Sequence, residues 1–214
     1  MKSAIDFAIE KGQSVPEIQT NSQTALLVMD MQVGIVARYG QPADLLTCIR
    51  TAIAAARAVA IPVIYVAVAF RPGYPEISPR NKSFSAIKQQ PASAATMTLG
   101  AAAAEIHPDI APQPGDCVVT KRRVSAFSGS DLDVVLRAQA ITHLALCGIA
   151  TSGVVLSTLR EAADKDFQLT VLADCCADGD EEVQRVLLTK VFPRQAEVLT
   201  AAAWAAALHP GELQ

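Results

Sequence analysis

The chain has 214 residues, of which 51% are hydrophobic and 18% are charged, and its formal net charge is −3. A chain of this length and apolar content can bury one sizeable core, which favours one large α/β domain over two small ones. The slightly acidic balance, without runs of like charge, argues against nucleic acid or an anionic membrane surface as the main partner. A small molecule is the partner that the composition favours.

Short apolar runs rich in β-branched residues alternate along the chain with longer segments rich in Ala and Leu. The apolar runs predict six strands, at residues 24–29, 62–69, 116–120, 142–147, 168–172 and 195–199. Helix formers between and after them predict helices at residues 43–58, 92–105, 131–138, 152–164, 180–190 and 201–208. Strands that alternate with helices imply right-handed crossovers and a parallel sheet covered on both faces. The expected class is therefore α/β and doubly wound.

The remaining segments suggest one domain with a short extension. Residues 24–214 are expected to form a single domain, preceded by an N-terminal extension of residues 1–23. Residues 71–91 are the one long irregular stretch, and loops of this length are often lids or subunit contacts. The Ala-rich segment 201–208 is a candidate for packing on a neighbouring subunit.

The cysteines and the hydropathy pattern bear on the compartment. Five cysteines, an odd number, match neither a disulfide framework nor the spacing of metal ligands, which favours a reducing compartment. The first residues carry acidic side chains within their apolar stretch, unlike a secretory signal. No segment approaches 18 uncharged apolar residues, so no membrane span is expected. These features predict a cytoplasmic protein.

Residues that follow the strands are the candidates for a site, because open parallel sheets bind ligands beyond the carboxyl ends of their strands. Asp30 follows the first predicted strand and Lys121 follows the third. The turn of residues 148–154 follows the fourth, and its small residues open a helix whose N–H groups can bind an oxyanion or carboxylate. Each feature also has a structural interpretation: a cap for Asp30, a solvent-directed side chain for Lys121, and tight packing for the turn.

Taken together, these segments resemble the isochorismatase-like, or cysteine hydrolase, superfamily. The similarity runs from about Thr24 to Thr200. It rests on Asp30-Met31-Gln32, on Lys121 with Ser125-Ala126-Phe127, on Gly148-Ile149-Ala150-Thr151 leading into Thr158 and Arg160-Glu161-Ala162, and on Asp174 with Ala177-Asp178. The resemblance implies a Rossmann-like, three-layer α/β/α fold with a six-stranded parallel sheet, and a homo-oligomer that hydrolyses a small molecule.

The resemblance also implies the residues of the site. Asp30 and Lys121 would be the catalytic acid and lysine, and the Ile149–Ala150 peptide bond would be cis. The pocket and its turn would be formed by Gln32, Phe127, Gly148, Ile149, Ala150 and Thr151. The chain departs from the family at the nucleophile, because Val154 occupies the place of the usual cysteine.

No other residue is an evident substitute for the missing thiol. Ser152 and Thr151 are the nearest hydroxyls, but neither has a histidine nearby in the sequence. Cys147 precedes the glycine at the strand end, and the adjacent pair Cys175 and Cys176 follows a later strand, so all three are expected to pack in the interior. The expected chemistry therefore does not depend on a thiolate.

Two classes of function remain open. The isochorismatases proper, which the chain also resembles, lack the thiol and use the acid to protonate a vinyl ether, although they have glycine where this chain has Val154. The alternative is a catalytically silent relative that binds a ligand or regulates. A metal-dependent amidase is disfavoured, because its Asp-x-His motif is absent from residues 69–73. Neither a metal nor a cofactor is expected, and Arg38 and Arg71 would favour a small anion.

Overall fold

One parallel sheet carries the fold of the residues that the computed structural model describes, which are 23–39, 43–89 and 97–208. Its strands stand in the order β3-β2-β1-β4-β5-β6. They are β1 (Thr24–Met29), β2 (Val63–Val68), β3 (Cys117–Lys121), β4 (His143–Ile149), β5 (Gln168–Ala177) and β6 (Glu197–Leu199). The order reverses between β1 and β4, and such a switch point leaves a crevice at the carboxyl edge of the sheet.

Helices cover the sheet between the strands. They are α1 (Val33–Arg38), α2 (Ala43–Ala58), α3 (Lys82–Gln89), α4 (Leu132–Ala138), α5 (Leu156–Asp164), α6 (Glu181–Val186) and α7 (Ala201–Ala207). A π-helical turn, Thr151–Val155, leads directly into α5, and a second, Leu187–Val191, follows α6. Within the described ranges, no helix has the length and apolarity to cross a membrane.

The sheet separates two apolar cores, because successive side chains of a strand point to opposite faces. In β1, Leu27 and Met29 face the core beneath α4 and α5, whereas Leu26 and Val28 face the core beneath α2 and α7. All of β1, β2 and β4 is buried, as expected for central strands covered on both faces. The three-layer α/β/α arrangement predicted from the sequence is therefore confirmed.

The stretch predicted to be irregular, residues 71–91, contains a helix that the sequence pattern did not predict. Helix α3 begins where the Asn81 side chain accepts a hydrogen bond from Phe84 N, at 3.1 Å. The rings of Tyr74 and Phe84 lie 5.6 and 5.5 Å from the ring of Phe70 and form a small third core. The described part of this stretch is thus packed on the domain.

The helix predicted at residues 92–105 is wrong over its described part, which begins at residue 97. Phe70 N donates to Met97 O, and Leu99 N donates to Phe70 O, both at 2.9 Å, which pairs this segment with the chain beyond β2. Gly100 then turns the chain with a φ of +81°. Only Ala102–Ala104 form a helical turn, of the 3-10 type. The Ala-rich composition misled the prediction because pairing with Phe70 outweighs helix propensity.

The structure describes the C-terminal helix predicted from the sequence but almost none of the predicted N-terminal extension. The proposed extension, residues 1–23, lies outside the described residues except for Gln23. At the other end, α7 packs against α2 of the same chain, and its Trp204 is completely buried. The inner face of α7 therefore packs within the chain, Ala202 and Ala206 remain exposed, and contact with a neighbouring subunit stays a prediction.

Candidate active site

Asp30 lies at the carboxyl end of β1, beside the switch point of the sheet. Its backbone N–H donates to Val66 O at 2.8 Å and its φ is 55°, a left-handed conformation that Asp adopts more readily than most residues. The residue is only 6% exposed. The strand end therefore places a carboxyl group inside the protein at the edge where ligands bind in this class of fold.

Lys121 is the last residue of β3, two strands away from β1. Its Nζ lies 2.9 Å from Asp30 Oδ2 and donates to Arg123 O at 3.0 Å and to Val124 O at 3.1 Å. Adjacent strands are about 4.8 Å apart, and the long lysine side chain spans the intervening strand. With three acceptors, the ammonium group has a partner for each of its hydrogens.

Two opposing effects act on the Asp30 carboxyl group. Burial disfavours the charged form and raises its pKa, whereas the charge and the hydrogen bond of Lys121 and, less strongly, the backbone N–H of Val68 lower it, and the net direction is upward. Oδ2 is held by Lys121, but Oδ1 has no hydrogen-bond partner among the described residues. The arrangement is an acid that retains its proton more readily than an exposed aspartate and has one buried oxygen without a hydrogen-bond partner among the described residues.

The turn after β4 is fixed by a close approach to β1. Gly148 has a φ of 140°, and a Cβ at this position would lie 2.0 Å from Met29 O. No side chain can be accommodated there without moving the backbone of β1. The following Ile149–Ala150 peptide bond is cis, as the family resemblance implied.

The N–H groups of this turn are largely used within the chain. Gly153 N and Val155 N donate to Ala150 O at 3.1 and 3.3 Å. Ser152 N donates to the side chain of Asp178, at 2.7 Å from Oδ2. The expectation of free donors is wrong at these three positions. The sequence places Asp178 at the tail of β5, and no local pattern predicts its contact with Ser152.

Position 154 is filled by the valine side chain. Val154 is 2% exposed and belongs to the apolar core that also contains Phe127, which is 7% exposed. The Phe127 ring lies 6.1 Å from that of Phe167. Both side chains therefore contribute to the apolar core beneath α4 and α5.

Gln32 and Thr151 differ in the state of their polar groups. Gln32 donates to Val68 O and Ala104 O at 2.9 and 2.6 Å and accepts from Val68 N at 2.9 Å. These bonds join the start of α1 to the end of β2. Because the side-chain amide of Gln32 is used in them, its role in the structure is to hold these two segments together. Thr151 is fully buried, and its hydroxyl has no partner in the described part of the chain.

The buried cysteines are poor nucleophiles. Burial raises the pKa of Cys147 and Cys175 well above the ordinary value and that of Cys176 to about 12. Cys147 donates to Leu27 O at 3.4 Å, within the sheet. Because a thiol attacks as thiolate, these groups offer no replacement for a cysteine at position 154. Over residues 23–39, 43–89 and 97–208, no cluster of His, Cys, Asp and Glu is arranged to hold a metal ion.

Comparisons with known proteins agree with this geometry. The family model described as "Isochorismatase domain" matches residues 24–203. An uncharacterised isochorismatase family protein of Bacillus subtilis, YwoC, is 34% identical over 172 residues, which are 80% of this chain and 87% of that protein. The ureidoacrylate amidohydrolase RutB of Stutzerimonas stutzeri is 35% identical and covers 79% of this chain and 76% of its own length.

A solved structure has the same fold. The cysteine hydrolase from Pseudomonas syringae pv. phaseolicola superimposes with a TM-score of 0.80 and 26% identity, over 91% of this chain and 98% of that one. The family match extends over most of the sequence and includes every strand of the sheet and the turn after β4. The chain therefore belongs to the isochorismatase family of hydrolases.

Proposed function

We propose that this isochorismatase-family hydrolase acts on a small anionic molecule by general-acid chemistry. Asp30 would be the acid, Lys121 would stabilise its conjugate base, and no cysteine would take part. Hydrolysis of a vinyl ether is the reaction that best fits this set of groups, because it needs a proton donor and water but no enzyme nucleophile.

The observation that carries the proposal is the state of the Asp30 carboxyl group. It is buried, its pKa is raised by that burial, and Oδ1 has no hydrogen-bond partner among the described residues. A general acid must hold its proton near the working pH and direct it at the substrate, and the raised pKa and the unpaired Oδ1 support Asp30 in that role.

The proposed reaction begins when the proton of Asp30 moves to the terminal carbon of the vinyl ether. The electron pair of the double bond forms the new C–H bond, and the ether oxygen stabilises the cation left on the neighbouring carbon. Water adds to that carbon and returns a proton to Asp30. The resulting hemiketal then breaks its bond to the alcohol oxygen, which yields a carbonyl compound and an alcohol. Lys121, at 2.9 Å, stabilises the Asp30 carboxylate that forms in the first step.

Amide hydrolysis through a covalent thioester is the competing reaction that one relative's name suggests, since that relative is an amidohydrolase. Such a route needs an accessible thiolate, and Val154 stands where the thiol would be. The raised pKa values of Cys147, Cys175 and Cys176 weigh against a substitute. The proposal therefore assigns no role to thiol chemistry.

A catalytically silent relative is the second candidate. Two observations favour it: Val154, which stands where the family resemblance places the nucleophile, is 2% exposed, and all three donors of Lys121 have partners within the chain. In that case the Asp30–Lys121 pair would be a structural ion pair, and the protein would bind a ligand without transforming it.

The test is an assay of the parent on vinyl ethers, esters and amides, before and after treatment with iodoacetamide. We expect hydrolysis of an enolpyruvyl ether, faster than of a neutral alkyl vinyl ether, with a rate that falls as the pH rises through the raised pKa of Asp30.

Asp30→Asn should lower the rate by about 10²- to 10⁴-fold. The exposed Asp109 gives a matched control, Asp109→Asn, with an unchanged rate. Stoichiometric inactivation by alkylation of one cysteine would refute the mechanism, and inactivity on the whole panel would favour the silent relative.

The setting of the activity is also part of the proposal. We propose that residues 24–214 form one hydrolase domain behind an extension of residues 1–23, and that the protein works in the cytoplasm as a homo-oligomer. The state of the five cysteines, all free thiols, supports a reducing compartment. Fractionation of cells and sedimentation of the purified protein would test these two points.

A further inference from the structure

The position of Lys121 depends on a loop that follows its own strand. Two of the three acceptors of Nζ are the carbonyl oxygens of Arg123 and Val124, at 3.0 and 3.1 Å. The third is Asp30 Oδ2 at 2.9 Å. Any movement of these two carbonyls therefore moves the ammonium group relative to the carboxylate.

The next residues of this loop are fastened to helix α5. The Thr158 hydroxyl accepts a hydrogen bond from Ala126 N at 3.0 Å. The Ser125 hydroxyl donates to Glu161 Oε2 at 2.6 Å and accepts from Phe127 N at 3.3 Å. Thr158 and Glu161 lie one turn apart on the same face of α5, so the helix holds the loop at two adjacent points.

These contacts are shielded from water. Thr158 and Ala126 are completely buried, and Ser125 is 8% exposed. A buried N–H without an acceptor costs about 1–3 kcal/mol, so the Ala126 N–H stays with Thr158 as long as the hydroxyl is present. Helix α5 also continues directly from the turn that carries Val154. Helix α5 thus continues the turn after β4 and also fastens the end of the loop that holds Lys121, while Glu76 binds the side chains of Arg122 and Arg123 earlier in the loop.

We propose that Thr158, together with Ser125 and Glu161, positions Lys121 against Asp30 by fixing the loop of residues 122–127 on helix α5. The inference rests on the proposed function in one respect, since it takes Asp30 as the working acid. None of the three residues touches the reacting atoms. They act through the loop and through Lys121.

Removal of the Thr158 hydroxyl should therefore change the ionisation of Asp30. Lys121 is the charged group that acts on this carboxyl, and both its charge and its hydrogen bond lower the pKa of Asp30. Thr158→Val deprives the Ala126 N–H of its acceptor, loosens the attachment of the loop to α5 and weakens the contact between Lys121 and Asp30. The pKa of Asp30 should rise as a result.

The experiment is an NMR titration of the Asp30 carboxyl carbon, in protein labelled with ¹³C at the aspartate carboxyl groups and assigned with Asp30→Asn. The titration midpoint in Thr158→Val should lie about 1 pH unit above that of the parent. Thr158→Ser keeps the hydroxyl and should match the parent. The matched control is Thr170→Val, which removes a hydroxyl bonded at 2.9 Å to His143 Nε2 near the other end of the sheet and should leave the Asp30 midpoint unchanged.

The half-buried Glu161 provides a second pair of variants if Thr158→Val does not fold. Glu161→Leu removes the acceptor of Ser125 and should raise the midpoint, whereas Glu161→Gln retains an acceptor and should not. An unchanged midpoint in both disruptive variants, or an equal rise in Thr170→Val, would overturn the inference. The titration needs no substrate, so a parent inactive on the vinyl ethers would count against the proposed function while the midpoints still decide the positioning role.

Discussion

Two buried polar clusters lie at opposite ends of the sheet and differ in how completely their atoms are paired. At the amino end, His143 has a partner for each ring nitrogen: Thr170 Oγ1 lies 2.9 Å from Nε2, and Thr24 Oγ1 lies 3.4 Å from Nδ1. At the carboxyl end, Asp30 has a partner for Oδ2 and none, within the described residues, for Oδ1. Buried polar atoms are nearly always paired. In the first cluster every ring nitrogen of His143 is paired, whereas the second leaves one buried oxygen of Asp30 without a partner among the described residues.

Burial acts on both clusters but with opposite consequences for pH. It disfavours the charged form of each group, so it raises the pKa of Asp30 and lowers the pKa of His143. As the pH falls from the raised pKa of the folded Asp30 to about 3.8, its pKa in the unfolded chain, the free energy of unfolding increases, because the folded state takes up the proton first. As the pH falls from about 6.5 to the lowered pKa of the folded His143, the free energy of unfolding decreases, because the unfolded state takes up the proton first. The comparison can therefore be tested one end at a time.

The largest effect is expected at the carboxyl end, from Lys121→Met. Breaking a buried ion pair leaves an uncompensated charge and costs about 3–5 kcal/mol of unfolding free energy. The loss should be greatest at neutral pH and should shrink as the pH falls and Asp30 becomes protonated. Urea unfolding at pH 7.5 and pH 5 measures it.

Two variants test whether this loss arises from the unpaired carboxylate. In Asp30→Asn/Lys121→Met the charge is gone, so most of the stability should return. Lys165→Met removes a lysine that lies 3.5 Å from Asp133 at the surface, and such pairs contribute about 0–1 kcal/mol. If Lys121→Met were no more costly than Lys165→Met, the Asp30–Lys121 pair would be unimportant to the fold, and the contrast with the His143 cluster would fail.

Much of this fold is predictable from the sequence, because most segments adopt in the packed structure the conformation that their local residue pattern favours. Continuous apolar runs predicted all six strands, and helix α2 was predicted at its observed bounds. The failures lie where a tertiary contact decides the conformation. Residues 97–105 are rich in helix formers but pair with the chain at Phe70, and α3 begins at an Asn81 cap within a Pro- and Gly-containing stretch.

The ends of the predicted strands and the family resemblance were enough to predict which residues of the site lie together. Both place Asp30, Lys121 and the turn of residues 148–154 at one edge. The sequence does not reveal which polar groups the chain satisfies itself, because those bonds join distant segments. Ser152 N to Asp178 and Gln32 to Val68 are such bonds, and they left fewer free donors than expected.

A smaller effect is expected from a thiol placed at each end of the sheet. Val154→Cys should have a thiol pKa lowered by its place at the start of a helix, where the helix dipole favours the thiolate. Thr170→Cys, equally buried near the amino end, should show no such depression. The measurement is the pH at which the alkylation rate is half-maximal, with the parent as background for its five native cysteines. Equal midpoints for the two thiols would mean that the carboxyl edge does not stabilise an anion, and the case for an enzyme would weaken.

The smallest effect is expected at the amino end, from the titration of His143. Its pKa is lowered by burial, so the folded protein is fully stable above about pH 6.5 and loses stability as the pH falls toward the lowered value. One group titrating in this way changes the unfolding free energy by at most about 1.4 kcal/mol per pH unit. Because Asp30 acts in the opposite direction, the measurement is best made in Asp30→Asn, by urea unfolding between pH 7.5 and 5. The slope should flatten when His143→Gln is added. If His143→Gln left the slope unchanged, the titration of His143 would not be the source of the acid sensitivity. The hydrogen bonds at the amino end would then not keep the folded His143 imidazole neutral.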